Sequence, residues 1–364
     1  MVNGSFFGAD LTVAVAEPGQ ICIALEGYCT AMTTAVIGLH RFFLPLSALK
    51  FATGAAAPQY QYPTRTRYGE DFMGVYRSFL FAPGNHPRKV EKVFDVGSDA
   101  VILDLEDAVA NDEKVATRKD VVAALKQPRR NLGYVRINSF ETEFCFGDID
   151  AIVGPALDGI VLPMVENPAQ MLAVDWMVSN LERERGLDVG KIDIMPILET
   201  GKGIAALPDI AGCDSRMRRM AFGAGDYTHD MNMDWTLDEV NLDDARSRMV
   251  LASRAADLEP PVDTVWIHIK DLEGMRASSE RAKQMGFQGK MCIYPPQVAT
   301  VNEVYSPSAA EIDHAEKVIA AFDEAEKAGS SSIQLDGYFI DYPIVYKAQR
   351  VLEAAQAIRD QEAG

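Results

Sequence analysis

Eight short apolar runs, most of them closing on a polar or charged residue, restrict the folds open to this chain more than any other feature. They read RSFLFAPG at 77–84, AVILDLED at 100–107, GYVRIN at 133–138 and GIVLPMV at 159–165. DIMPILET at 193–200, RMAFGAGD at 219–226, TVWIHIKD at 264–271 and KMCIYPPQ at 290–297 complete the set. Near-continuous apolar and β-branched runs suit strands buried on both faces, as in a parallel sheet. Helical patterns separate most of them. One begins with Thr236 and Glu239 three residues on, the spacing of a capping box, and places Val240, Ala245, Met249 and Ala252 at roughly helical intervals. Another pairs Ser308 with Glu311 and puts Ile312, Ala315, Ile319 and Phe322 on one face. Eight strands with helical crossovers over about 250 residues predict an α/β chain folded as a (β/α)8 TIM barrel with a C-terminal helical extension. A doubly wound open sheet is the alternative.

The first part of the chain breaks this rhythm. Residues 1–72 include a stretch rich in apolar and small residues, from Cys29 to Gln59, interrupted by Arg41 and Lys50. No uncharged run in it reaches the roughly 18–20 residues of a membrane span. It predicts a poorly ordered extension, or sequence upstream of a true start near Met73. A weak export signal beginning at Met32 is the other reading. The barrel domain is then expected over 73–330, with a separate C-terminal segment over 331–364.

Net charge is −18, so a polyphosphate is repelled and nucleic acid is excluded as a partner class. The five cysteines, Cys22, Cys29, Cys145, Cys213 and Cys292, form no C-x-x-C pair. That predicts a reducing, cytoplasmic setting, with neither a disulfide framework nor a thiolate zinc site, and the lack of a membrane-length uncharged run predicts no membrane association.

In a barrel, the polar strand ends meet on one face. Here they are Asn85, Glu106, Asp107, Arg136, Asn138, Glu199, Asp226, Asp271 and Gln297. Glu199 and Asp226 end consecutive runs, which would lie about 4.8 Å apart as paired strands. Two carboxylates at that separation suit a hard cation, Mg²⁺ or Mn²⁺, with other positions left to water and substrate; capping or turn roles are the competing explanation. Arg136, at the end of a buried strand, requires an anion. Asp104, Glu106 or a substrate carboxylate would each serve. Asp104 and Glu106 share a strand face, and either orient metal-bound water or pair with a neighbouring cation. Gly223 and Gly225 lack the third glycine of a dinucleotide fingerprint and suit a tight strand end. No G-x-S-x-G elbow occurs, and Lys270 is the candidate for a Schiff base.

The chain from about 77 to 355 resembles the citrate lyase β-subunit-like branch of the HpcH/HpaI aldolase family, which includes malyl-CoA and citramalyl-CoA lyases. The motifs that carry the resemblance are RSFLFAPGNHPRKVEK, DAVILDLEDAV, YVRIN, LPMVE, ILETGKGI, FGAGDY, KDLEGMRASSERAKQMGFQGKMCIYPPQV and VYSPSAAEIDHAEKVI, in family order. The resemblance implies a Mg²⁺-dependent barrel lyase acting on CoA thioesters. Glu199 and Asp226 resemble the two metal ligands, and Arg136 the arginine that holds the oxo acid. Glu106 and Asp107 resemble the acids that organise metal-bound water. Phe81, His86 and Lys92 fall in the segment that receives the CoA adenine and phosphates. Asp341 matches an aspartate that relatives place over a neighbouring subunit's barrel as acid/base, although alone it reads as a helix start before Pro343.

Three positions depart from the family pattern: His86 where Arg is frequent, Met164 where Lys is usual, and Tyr294 where His is usual. The family implies a homo-oligomer, trimer or hexamer, or a place in a citrate lyase-type complex. Malate synthase-like or malyl-CoA thioesterase activity, a metal-dependent pyruvate aldolase without CoA, and a non-catalytic barrel subunit are the alternatives.

Overall fold

The computed structural model describes three strands near the N-terminus and residues 75–363. The strands β1 (Val2–Phe6), β2 (Ala9–Glu17) and β3 (Gln20–Glu26) form an antiparallel sheet. The rest of the 1–72 segment, and the expectation for it, lie outside the described residues.

Eight parallel strands close a barrel. They are β4 (Ser78–Pro83), β5 (Ala100–Asp104), β6 (Leu132–Arg136), β7 (Gly159–Leu162), β8 (Asp193–Leu198), β9 (Ala221–Phe222), β10 (Val262–Asp263) and β11 (Gly289–Cys292). Each pairs with the next, and β11 returns to β4 through Met291 opposite Phe79. Closure excludes the open doubly wound sheet. Strand residues alternate between two cores, as a period of two requires. Ala100 and Ile102 point into the barrel with Phe79 and Tyr134, while Val101 and Leu103 pack outward against the helices.

Those helices are α1 (Pro87–Val93), α2 (Lys114–Leu125), α3 (Cys145–Ile152), α4 (Pro168–Glu184), α5 (Gly201–Ala205) and α6 (Leu207–Gly212). They continue with α7 (Ala224–Asp230), α8 (Asp243–Ala255), α9 (Leu272–Met285) and α10 (Pro295–Tyr305). The C-terminal unit comprises α11 (Ala309–Lys327), the hairpin β12 (Ile333–Leu335) and β13 (Tyr338–Ile340), and α12 (Tyr342–Ala363). It has its own small core, including Ala315, Phe322, Ile340 and Val345. The Ser308–Glu311 capping box is present at the start of α11. No described helix is long and apolar enough to cross a membrane.

Three local expectations are corrected. The seventh strand is Val262–Asp263, ahead of the 264–271 run. Its Asp263 is fully buried because Arg246, at 2.9 Å, and Lys290 neutralise it. In the run itself, Ile267 and Ile269 are exposed, and Asp271 caps α9 by accepting from the Gly274 N–H at 2.9 Å. The sixth strand ends at Phe222, so Asp226 sits in the first turn of α7. The Thr236–Glu239 box does not form. Glu239 has left-handed backbone (φ 52°) and is buried in an ion pair with Arg246 at 2.7 Å, and the helix starts at Asp243.

Candidate active site

The C-terminal ends of β5, β6 and β8 and the start of α7 carry a cluster of carboxylates around one guanidinium. Asp104 and Arg136 are opposite each other on β5 and β6. Arg136 donates from Nε and Nη2 to the two Asp104 oxygens at 2.8 and 2.6 Å, a bidentate pair. Its Nη1 faces Glu106 at 3.0 Å and Asp107 at 3.2 Å. The Phe81 ring lies 4.9 Å from the guanidinium carbon, a cation–π contact. Burial alone would lower the Arg136 pKa, but Asp104, Glu106 and Asp107 hold it well above the usual value.

Asp104 is saturated, because it also accepts from the Glu106 and Ala108 N–H groups. Its role is to orient Arg136. Of the two acids on this strand face, Glu106 is the one with capacity left. Burial pushes its carboxyl up to about 8, with Arg136 opposing and Asp107, Asp104 and Asp226 adding to the rise.

Glu199 follows β8 and is almost completely buried. Its Oε1 accepts from the Met164 N–H at 2.8 Å, and Met164 adopts left-handed backbone (φ 56°) to present that N–H. Its Oε2 faces Gly223; a Cβ there would lie 2.3 Å from that oxygen, so only glycine leaves room. Burial pushes the Glu199 carboxyl well above its ordinary value. The Met164 N–H opposes this, and the Glu106 and Asp226 charges add to it. Asp226 is exposed at the mouth.

Asp104, Glu106, Asp107, Glu199 and Asp226 thus gather about Arg136, and neither Glu199 nor Asp226 has a salt-bridge partner among the described residues. No constellation of three or more His, Cys, Asp or Glu side chains placed to hold a metal occurs among those residues. A two-carboxylate, oxygen-only donor set fits a hard divalent ion that keeps several positions for water and substrate. Burial, with a lesser part from neighbouring carboxylates, raises the Glu106 and Glu199 carboxyls, and a bound cation would favour their ionised forms.

The other expected site residues lie apart from this cluster. His86 precedes α1 and Lys92 sits in its last turn; both are exposed on the surface of that helix, near Arg88 and Lys89. Lys270, the Schiff-base candidate, is exposed in the 264–271 segment that follows β10. Asn138 and Gln297 are structural: Asn138 bonds Asp148 and Lys114, and Gln297 bonds the Trp266 carbonyl. Asp341 opens α12, its carbonyl accepting from Ile344 and Val345 at 3.1 Å. The far end of α12 reaches the opposite face of the barrel, where Gln361 meets Asp99 and Glu362 meets Arg77. Twenty-two helical residues separate the ends, about 33 Å at 1.5 Å per residue. Between them α12 packs on α11 and β13.

Comparison with known proteins places this geometry in context. The HpcH/HpaI aldolase/citrate lyase family model matches residues 77–295. The citrate lyase subunit beta of Leuconostoc mesenteroides subsp. cremoris is 38% identical over 77% of this chain and 93% of its own length. A (3S)-malyl-CoA thioesterase of Cereibacter sphaeroides is 34% identical over 78% of this chain and 95% of its own. The crystal structure of CitE from Mycobacterium tuberculosis, in complex with magnesium, acetoacetate and coenzyme A, superposes with a TM-score of 0.64 at 26% identity. It covers 78% of this chain and 98% of that one.

Proposed function

Since the chain belongs to the HpcH/HpaI aldolase/citrate lyase family and is an enzyme, we propose that it is a Mg²⁺-dependent carbon–carbon lyase. Its substrate would be a β-hydroxyacyl-CoA such as malyl-, citramalyl- or citryl-CoA, and its products acetyl-CoA or a homologue and an oxo acid. The observation that carries this reading is the unpaired Glu199–Asp226 couple beside Arg136 at the barrel mouth. Glu199 and Asp226 would hold Mg²⁺, with Mn²⁺ as a substitute, and Glu106 and Asp107 would orient its water ligands. When bound, the ion supplies a Lewis acid that polarises the substrate oxygens and lowers the hydroxyl pKa.

Arg136, already fixed by Asp104, would hold the oxo-acid carboxylate and stabilise the charge that develops as the carbon–carbon bond breaks. Phe81, His86 and Lys92 would receive the CoA moiety. The Asp341 carboxyl would protonate the enolate carbon of the leaving acyl-CoA, or remove that proton in the reverse direction. By the family resemblance, Asp341 would act on a neighbouring subunit of a homo-oligomer, trimer or hexamer. The exposed Tyr338 and Phe339 of the adjoining hairpin support such a docking. A citrate lyase-type complex is the other assembly, and the cytoplasm the expected setting.

The thioesterase reading is favoured by the 34% identity to a (3S)-malyl-CoA thioesterase. One assay separates the two. Malyl-, citramalyl-, methylmalyl- and citryl-CoA are incubated with Mg²⁺, and oxo acid and free CoA are measured. Oxo acid without free CoA is the expected result; free CoA identifies thioesterase activity. No turnover of any of these substrates refutes this lyase reading.

Metal binding should also displace protons. Burial pushes the Glu106 carboxyl up to about 8 and the Glu199 carboxyl well above its usual range. A cation favours the ionised forms, so Mg²⁺ affinity should rise with pH between about 6 and 9. Calorimetry at pH 7 in two buffers of different ionisation enthalpy should register net proton release; equal heats would contradict it.

A further inference from the structure

Asp230 makes a link that neither candidate ligand makes itself. Strands β8 and β9 are fixed to each other at Leu198 and Phe222, and the Gly223 N–H donates to the Leu198 carbonyl at 3.1 Å. Beyond that point the chain diverges into α5 after Glu199 and into α7 with Asp226. Asp226 and Asp230 are four residues apart, so they share a face of α7.

Asp230 Oδ2 accepts from the Gly201 N–H, the first of α5, at 2.7 Å. First-turn N–H groups of a helix have no acceptor within it. Thr200 satisfies Gly203 at 3.0 Å, and Asp230 satisfies Gly201 from the other segment. A Cβ on Gly201 would lie 2.7 Å from Met231 Sδ and 3.4 Å from Asp230 Oδ2, so the two segments are in direct contact here. At the other end, Gly223 and Gly225 flank the joint between β9 and Asp226; the Ala224 N–H donates to Thr264 Oγ1 at 2.9 Å, and a Cβ on Gly225 would meet Trp235 at 3.9 Å. The start of α7 is anchored by that bond and by buried Ala224, Tyr227 and Thr228, and Asp230 adds a tether from its last residue to α5.

We propose that Asp230 is a positioning residue: through Gly201 it holds α7 so that Asp226 stands at metal-sharing distance from Glu199. This rests on the assignment of Glu199 and Asp226 as Mg²⁺ ligands. A carboxylate on a main-chain N–H is a charge-assisted bond, stronger than a neutral one. Residues that orient metal ligands from outside the coordination sphere typically change affinity about ten- to a hundredfold when removed.

The test is Mg²⁺ titration by calorimetry of the wild type, Asp226→Ala, Asp230→Ala and Asp230→Asn, with melting of each metal-free protein. Asp230→Ala should weaken Mg²⁺ binding roughly ten- to a hundredfold. Asp230→Asn, whose amide oxygen can accept the same bond, should keep most of the affinity. A residue that only caps α5 would lower the melting temperature and leave affinity alone, so wild-type affinity in Asp230→Ala overturns the proposal. So does an Asp230→Asn variant as weak as Asp230→Ala. A wild type that does not bind Mg²⁺, or full binding by Asp226→Ala, overturns the metal assignment instead.

Discussion

Glu199→Gln should lower kcat/KM for acyl-CoA cleavage at least about a thousandfold, roughly 4 kcal/mol of transition-state stabilisation. The substitution preserves shape and an oxygen that can accept the Met164 N–H, and removes only the charge. The metal-free variant should fold at least as well as the wild type. Burial holds the Glu199 carboxyl well above its ordinary value, so the ionised form costs stability in the absence of a cation. The sign follows from linkage. A carboxyl raised in the folded state contributes stability at low pH and loses it as pH rises through the folded pKa, whereas glutamine has no such loss. The melting difference should therefore favour the variant increasingly toward alkaline pH. Added Mg²⁺ should raise the melting temperature of the wild type and leave the variant's nearly unchanged. The Mg²⁺-dependent rise in melting temperature, present in the wild type and lost in the variant, is what assigns Glu199 to a metal. Wild-type turnover in the variant would exclude it as a ligand.

The barrel and the acidic rim were legible because each rests on a short-range signal. Strands such as AVILD and DIMPIL are apolar except for one terminal aspartate, as burial on both faces requires, and polar residues at or after their C-terminal ends mark the open end. What was not legible depends on partners distant in sequence. Asp263 hid the seventh strand, since its charge is tolerable only beside Arg246 and Lys290. Glu239 imitated a cap because its true partners, Arg246 and Ser278, lie seven and 39 residues away. The barrel floor is a similar case: Arg219 is fully buried between Asp193, at 2.8 Å, and Glu259, at 2.7 Å, and nothing in RMAF announces it. Arg136 sat between these extremes. Its need for an anion was readable, but the choice of Asp104 required the β5–β6 register. Asp230 was missed altogether. Its only sequence signal is an i,i+4 spacing from Asp226, which acquires meaning once Gly201 is seen at its carboxylate.

The placement of Asp341 leads to the most distinctive expected result. Asp341→Asn should lose about a hundred- to ten-thousandfold in kcat, the usual contribution of a positioned acid or base, with Mg²⁺ affinity unchanged. Arg136→Ala should be comparably inactive for a different reason, since it loses the oxo-acid contact and leaves Asp104 without its bidentate partner. If each site combines one subunit's barrel with its neighbour's Asp341, the two dead variants complement each other. A subunit carrying Asp341→Asn keeps an intact barrel, and one carrying Arg136→Ala keeps an intact Asp341. In a ring assembled at random from equal amounts, a site is whole when an intact barrel meets an intact donor, which is about a quarter of sites. Co-expression of differently tagged variants and isolation of the mixed oligomer should therefore recover roughly a quarter to a third of wild-type activity per subunit, since a mixed ring of three holds about one whole site in three. Each variant alone should stay near background. An Asp341 that served its own barrel would give no recovery, because every subunit would carry one lesion.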